Sequence, residues 1–132
     1  MNYKVYEVWE YSNGDKHWYK DGKAHREDDK PAVELSSGDK YWYKDGLPHR
    51  DGGPAVEQIN GDKYWYKDGK YHREDGPAVE YISGNGYYYL NGKEYSKEEW
   101  YDKLFGKKYN IKGKMVSEDL IDMALKSWIN KE

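Results

Sequence analysis

Apolar and polar residues alternate with a period of two through most of the first 95 positions, in short runs cut by glycine. Such alternation predicts half-buried strands. Ala78-Val79-Glu80-Tyr81-Ile82 runs as one of them to a turn at Ser83-Gly84, matched by Ser37-Gly38 and Asn60-Gly61. The pairs Asp21-Gly22, Asp45-Gly46, Asp68-Gly69 and Asn91-Gly92 sit amid aromatic and polar alternation. They predict tight hairpins in which both central residues take positive φ. A further turn is expected just before a proline, at Asp51-Gly52-Gly53-Pro54 and Glu74-Asp75-Gly76-Pro77, with the proline opening the next strand where its missing N–H costs least. The counterpart Glu27-Asp28-Asp29-Lys30 is one residue longer and lacks glycine, which predicts a looser turn. The fold class that follows is mainly β, a single twisted antiparallel meander.

After Tyr95 the period becomes helical. Ser96-Lys97-Glu98-Glu99 is a capping box, and Trp100, Tyr101 and Leu104 form an apolar face that ends at Gly106. The Lys-rich stretch from Lys107 to Lys114 reads as a connector. A second helix is predicted from Ser117 as N-cap, with Glu118 and Asp119 favourable in its first turn and Leu120, Ile121, Ala124, Leu125, Trp128 and Ile129 as its apolar stripe. These two C-terminal helices are expected to cap the sheet, whose bare edge would otherwise invite aggregation.

The strands repeat as well as alternate. Trp18-Tyr-Lys-Asp-Gly-Lys-Ala-His-Arg, Trp42-Tyr-Lys-Asp-Gly-Leu-Pro-His-Arg and Trp65-Tyr-Lys-Asp-Gly-Lys-Tyr-His-Arg are copies of one sentence, spaced 24 and 23 residues apart. Each runs on to a Pro-Ala-Val-Glu strand. A half repeat at 1–14, repeats at 14–37, 38–60 and 61–83, and a degenerate repeat at 84–95 make an array at 1–95, followed by the helical cap at 96–132. Units of this length stack on their neighbours around one continuous core, with atypical units at the ends.

Composition narrows the function classes. At 132 residues one domain is the default, and 16 Tyr, 6 Trp and 1 Phe make aromatic rings the main apolar material. The 22 Lys and Arg against 25 Asp and Glu leave a net charge of −3, without the basic surplus that a nonspecific nucleic-acid binder needs. The absence of cysteine excludes disulfides and thiolate metal sites. No apolar run approaches the roughly 20 residues of a membrane helix, and Met1-Asn-Tyr-Lys-Val-Tyr-Glu lacks a signal peptide's apolar segment, so a cytoplasmic protein with no membrane partner is expected.

The octad Trp65-Tyr66-Lys67-Asp68-Gly69-Lys70-Tyr71-His72 and its two sisters resemble the MORN repeat, and more closely its variant form, over residues 8–95. The resemblance implies β-hairpin units laid side by side in a twisted sheet. After the histidine the chain departs from it, with Arg-x-Asp-Gly-Pro-Ala in place of the glycine-rich MORN pattern. The full signature resembles uncharacterised repeat proteins of phages, large DNA viruses and bacteria. That likeness implies a phage or mobile-element protein acting in the host cytoplasm, where it engages or inhibits a host factor such as a defence protein.

Candidate chemistry lies in the repeated His-Arg and aromatic positions. His25, His49 and His72 should lie about 9–10 Å apart, twice the strand spacing, whereas ligands of one ion sit within about 2.1 Å of it. The ladder therefore offers no three-histidine metal site in one chain. No Ser or Cys recurs beside these residues as a nucleophile and no glycine-rich phosphate loop is present, so no catalytic residue and no cofactor are assigned. A structural role is expected instead: Arg73 pairs with Asp75 or Glu80, while the His72 ring packs on an aromatic and donates to a turn carbonyl. The functional alternative is a ladder of Arg26, Arg50 and Arg73 beside aromatic rings, able to stack a base and grip the phosphate of a nucleotide or cyclic nucleotide. The neighbouring acids Glu27, Asp28, Asp51, Glu74 and Asp75 weaken it. Trp18, Trp42 and Trp65 are expected to fill the buried face, which sends Tyr19, Tyr43 and Tyr66 to the other face with Tyr41 and Tyr64. These five tyrosines, joined by His25, His49, His72 and the three arginines, form the candidate partner-binding set, since a tyrosine-rich strip suits protein recognition. A homodimer through edge pairing or helix packing is compatible with either reading.

Overall fold

The structure, a computed structural model, describes residues 3–106, 108–111 and 114–117. The chain divides into two compact units, Met1–Glu94 and Tyr95–Glu132. Fourteen strands run through residues 6–95: β1 (Tyr6–Glu10), β2 (Lys16–Lys20), β3 (Lys23–Ala24), β4 (Val33–Glu34), β5 (Lys40–Tyr41), β6 (Tyr43–Lys44), β7 (Leu47–Pro48), β8 (Val56–Glu57), β9 (Lys63–Tyr64), β10 (Tyr66–Lys67), β11 (Lys70–Tyr71), β12 (Val79–Glu80), β13 (Gly86–Leu90) and β14 (Lys93–Tyr95). Ten of them form an antiparallel sheet in the order β1-β2-β4-β5-β8-β9-β12-β13-β14 with β3 beside β2, as the alternation predicts.

One feature differs from a plain meander. The runs around Trp42 and Trp65 break at the tryptophan, so that their second halves form separate two-stranded hairpins, β6–β7 and β10–β11. Each tryptophan is a corner with its backbone satisfied on two sides. The Trp42 N–H donates to the Ala55 carbonyl at 2.7 Å, while its own carbonyl accepts from the His49 N–H at 3.1 Å. Trp18 and Trp65 do the same with Ala32 and His25, and with Ala78 and His72. The Asp-Gly and Asn-Gly turns carry two consecutive left-handed residues, as in Asp45 at φ 49° and Gly46 at φ 85°. That geometry matches the right-handed strand twist and suits Asp, Asn and Gly best.

Strand register sorts the residues into two faces. Across one face run Trp9, His17, Val33, Tyr41, Val56, Tyr64, Val79 and Tyr87. Across the other run Glu10, Lys16, Glu34, Lys40, Glu57, Lys63 and Glu80, acid against base at each step, which favours this register over a slip. Among the described residues the wholly buried side chains are small, Ala32, Ala55 and Ala78, joined in the core of the sheet by Trp42 and Val79. Trp18 and Trp65 are only half-buried, so tryptophan fills the core less completely than expected.

In the second unit, α1 (Lys97–Phe105) starts where the capping motif places it. The Ser96 hydroxyl accepts from the Glu99 N–H at 3.1 Å, and Gly106 closes the helix at φ 69° with its N–H on the Asp102 carbonyl. Trp100 is buried, with Tyr101 and Phe105 rings against it. The expected Lys-rich connector is instead a hairpin of β15 (Lys108–Ile111) and β16 (Lys114–Ser117), with Tyr109 opposite Val116 and Asn110 opposite Met115. Alternating Tyr109, Ile111 and Val116 carry strand propensity that the lysines conceal. The second helix expected beyond Ser117 lies outside the described residues.

Candidate binding surfaces

Each repeated arginine lies over the ring of the tryptophan of its own sequence copy. The guanidinium carbon of Arg26 is 3.6 Å from the Trp18 ring centre, that of Arg50 is 3.8 Å from Trp42, and that of Arg73 is 3.7 Å from Trp65. Nη1 then donates to the proline carbonyl that opens the next strand, Pro31 at 3.1 Å, Pro54 at 3.1 Å and Pro77 at 3.0 Å. It also meets the glutamate of that strand, Glu34 at 3.0 Å, Glu57 at 3.1 Å and Glu80 at 3.6 Å. Arg73 reaches Asp75 across its turn as well, Nε to carboxylate at 2.7 Å. The loop passes so close to Arg73 that a Cβ on Gly76 would lie 2.9 Å from the guanidinium carbon, so a side chain there would push the guanidinium aside. Both arginine pairings foreseen from sequence are thus made at once.

The histidines tie each copy to the next. The backbone N–H groups of Asp45, Asp68 and Asn91 donate to Nδ1 of His25, His49 and His72, each at 3.0 Å. An imidazole that accepts at Nδ1 carries its proton on Nε2 when neutral. Nε2 faces the acid two residues on, Glu27 at 3.0 Å and Asp51 at 2.8 Å, whereas His72 Nε2 stands 3.5 Å from Glu74 without a hydrogen bond. The expected donation to a turn carbonyl is therefore corrected: the ring accepts from a turn N–H, because the left-handed Asp-Gly turn presents amides to its neighbour.

Two further ties escape a reading of His, Arg and Trp. Asp15, Asp39 and Asp62 accept, through Oδ1, the backbone N–H groups of Ser36, Ile59 and Ile82, at 2.6, 2.7 and 2.9 Å. The signal was an Asp recurring directly after the third-turn glycine. The longer loop of the first copy is not loose. Asp28 and Asp29 are left-handed at φ 63° and 54°, and the Asp29 carbonyl accepts from the Trp42 indole N–H at 3.1 Å. Its carboxylate takes Nε and Nη2 of Arg50 at 2.9 and 3.3 Å, which holds Asp29 below the usual carboxylate range. The extra residue gives reach to the neighbouring copy.

On the opposite face the tyrosines touch one another. Tyr87 packs edge-on to Tyr81 at 6.0 Å, Tyr81 to Tyr64 at 6.2 Å, Tyr64 stacks on Tyr71 at 6.3 Å, and Tyr71 meets Tyr66 at 4.5 Å and Tyr89 at 5.0 Å. Tyr41 and Tyr43 continue this face half-buried, and Tyr19 joins Trp9 and His17 further along. Burial pushes the Tyr19, Tyr41, Tyr64 and Tyr66 hydroxyls above the usual phenol range. The structure thus separates the candidate set, with the five tyrosines on one face and the His and Arg residues inside the ties of the other.

Clefts of about 410, 380 and 250 Å³ open between successive loops. The largest is lined by Arg50, Arg73, Lys67 and His72 together with Asp51, Glu74 and Asp75. Acids match bases there, and a base seeking the Trp65 face would find Arg73 on it. Among the described residues no group of three or more His, Asp or Glu is placed to hold a metal ion, and no helix is long and apolar enough to cross a membrane. No family model matches the sequence, and no curated protein and no solved structure gives a significant match.

Proposed function

We propose that this protein is a binding scaffold whose tyrosine face recognises another protein. The observation that carries the reading is the continuous chain of tyrosine ring contacts on one face of the sheet, while the Arg and His side chains of the other are spent on ties within the fold. Tyrosines already held by their neighbours lose little side-chain entropy on binding and offer an apolar body with a polar tip. On this reading the array is a MORN-like stack of hairpin repeats, non-catalytic, and its partner is a host protein; inhibition of a defence factor rests on the resemblance of the repeats alone. The nucleotide alternative is less favoured, because the guanidinium groups cover the tryptophan faces on which a base would stack.

The test is capture from lysate of the natural host by the full chain and by a Tyr41→Ala/Tyr43→Ala variant. Neither ring belongs to the Tyr64–Tyr71 contact network, so the variant is expected to keep its circular dichroism spectrum and lose a stoichiometric partner. Equal capture by the folded variant would overturn the reading, as would recovery of a nucleotide with no protein.

A further inference from the structure

We propose that the outer edge of β1 binds an extended segment of another protein in which lysine alternates with aromatic residues, adding it to the sheet as one more strand. Among the described residues β1 pairs only with β2 and ends the sheet. The direction of its backbone groups follows from two hydrogen bonds, Asp21 N–H to the Val5 carbonyl at 2.7 Å and Tyr11 N–H to the Asp15 carbonyl at 2.9 Å. Residues 5, 7, 9 and 11 therefore face β2. Alternation turns the N–H and C=O groups of Tyr6, Val8 and Glu10 outward, where a strand can pair with them.

The interior of the sheet states what that strand should be. Val8-Trp9-Glu10-Tyr11 corresponds in sequence to Ala55-Val56-Glu57-Gln58 and Ala78-Val79-Glu80-Tyr81. Inside, such a strand is flanked on both sides: Val56 lies between Tyr41 and Tyr64, and Glu57 between Lys40 and Lys63. Trp9 and Glu10 have His17 and Lys16 on one side and, among the described residues, no strand on the other. The missing neighbour would place Lys opposite Glu10, an aromatic opposite Trp9, and an N–H on the Val8 carbonyl, as Trp42 does for Ala55. Exposure marks the vacancy, since Tyr6, Val8 and Trp9 are 55%, 57% and 53% exposed whereas Val79 is 4% exposed.

Charge selects the occupant. β1 holds Glu7 and Glu10 and no basic residue, so two copies paired through this edge would put no lysine opposite Glu10. A lysine-bearing strand instead completes the pattern of acid between two bases. This edge acts through backbone groups and does not rest on the tyrosine-face reading.

The probe is a labelled, end-blocked peptide of this chain's own interior sequence, Asp39 to Lys44, titrated into the full chain by fluorescence anisotropy. Saturable binding is expected. It should weaken about tenfold or more when the peptide lysine that meets Glu10 becomes Glu, and recover when that peptide meets Glu10→Lys protein. Val8→Pro should weaken it similarly, because this N–H points outward and its loss spares the β1–β2 ladder. N-methylation of the peptide amide that donates to the Val8 carbonyl gives the same readout with the protein unaltered. No saturation by about 1 mM peptide, or equal binding of the N-methylated peptide, overturns the proposal. So does a homodimer in sedimentation that Val8→Pro abolishes while peptide binding is absent, since the edge would then belong to a second copy.

Discussion

Arg50 meets four groups at once: the Trp42 ring, the Pro54 carbonyl, the Glu57 carboxylate and the Asp29 carboxylate. Only a flat cation with a fork of N–H donors can stack and hydrogen-bond in this way, and a lysine ammonium offers neither the plane nor the fork. Its side chain is 16% exposed, so the ring contact is largely shielded from water, while the half-exposed Asp29 adds less than its distance suggests. Arg50→Ala is expected to lower the unfolding free energy by about 2–4 kcal/mol and Arg50→Lys by about 1–3 kcal/mol, read from urea denaturation. A lysine variant as stable as the parent would show that stack and fork contribute nothing. The pairing of Arg73 with Asp75 and Glu80 was legible in the sequence, because acids at fixed offsets announce it. The contact with tryptophan was legible only as proximity: in the sequence it reads equally as a ligand site, and only the fold brings the guanidinium over the ring.

At the scale of the element, hairpins are positioned by amides delivered to fixed acceptors. The Asp68 N–H on His49 Nδ1 holds the β10–β11 hairpin against the preceding copy, and Nε2 is held by Asp51. His25 is placed identically between Asp45 and Glu27. Two-dimensional nitrogen–proton spectra should find the neutral rings of His25 and His49 in the Nε2–H form; an Nδ1–H signal would refute the tie. His49→Ala is expected to cost about 2–3 kcal/mol, as it leaves the Asp68 amide unpaired and a void at a ring only 8% exposed. The turns themselves were plain in the sequence, since Asp-Gly and Asn-Gly have few other uses between alternating runs. The Asp29 clamp was not, because a one-residue insertion without glycine looks the same whether its loop is free or tied. Nor was the β15–β16 hairpin, whose lysines mask the alternation of Tyr109, Ile111 and Val116.

Across the repeated sheet, stability is spread over many small ties between neighbouring sequence copies, as expected where its wholly buried side chains are alanines. Several of these ties end in carboxylates, and this gives the whole fold an acid limb. The Ser36 N–H on Asp15, the Arg50 guanidinium on Asp29 and the His25 ring on Glu27 each hold a carboxyl below its usual range. A carboxyl depressed by folding contributes stability in full above the ordinary carboxylate range and loses it as pH falls through the depressed value. Urea midpoints should therefore be level near neutrality and decline from about pH 5 towards about pH 3. Asp15→Asn separates charge from geometry, because the amide oxygen can still accept the Ser36 N–H while the titration is gone. That variant should keep the parent's urea midpoint near neutral pH and show a shallower acid decline. Asp29→Asn should flatten the decline too, but at a neutral-pH loss, since Arg50 there forfeits its charged partner. An acid limb unchanged in both variants would place the pH dependence in other carboxylates and leave these two ties without electrostatic weight.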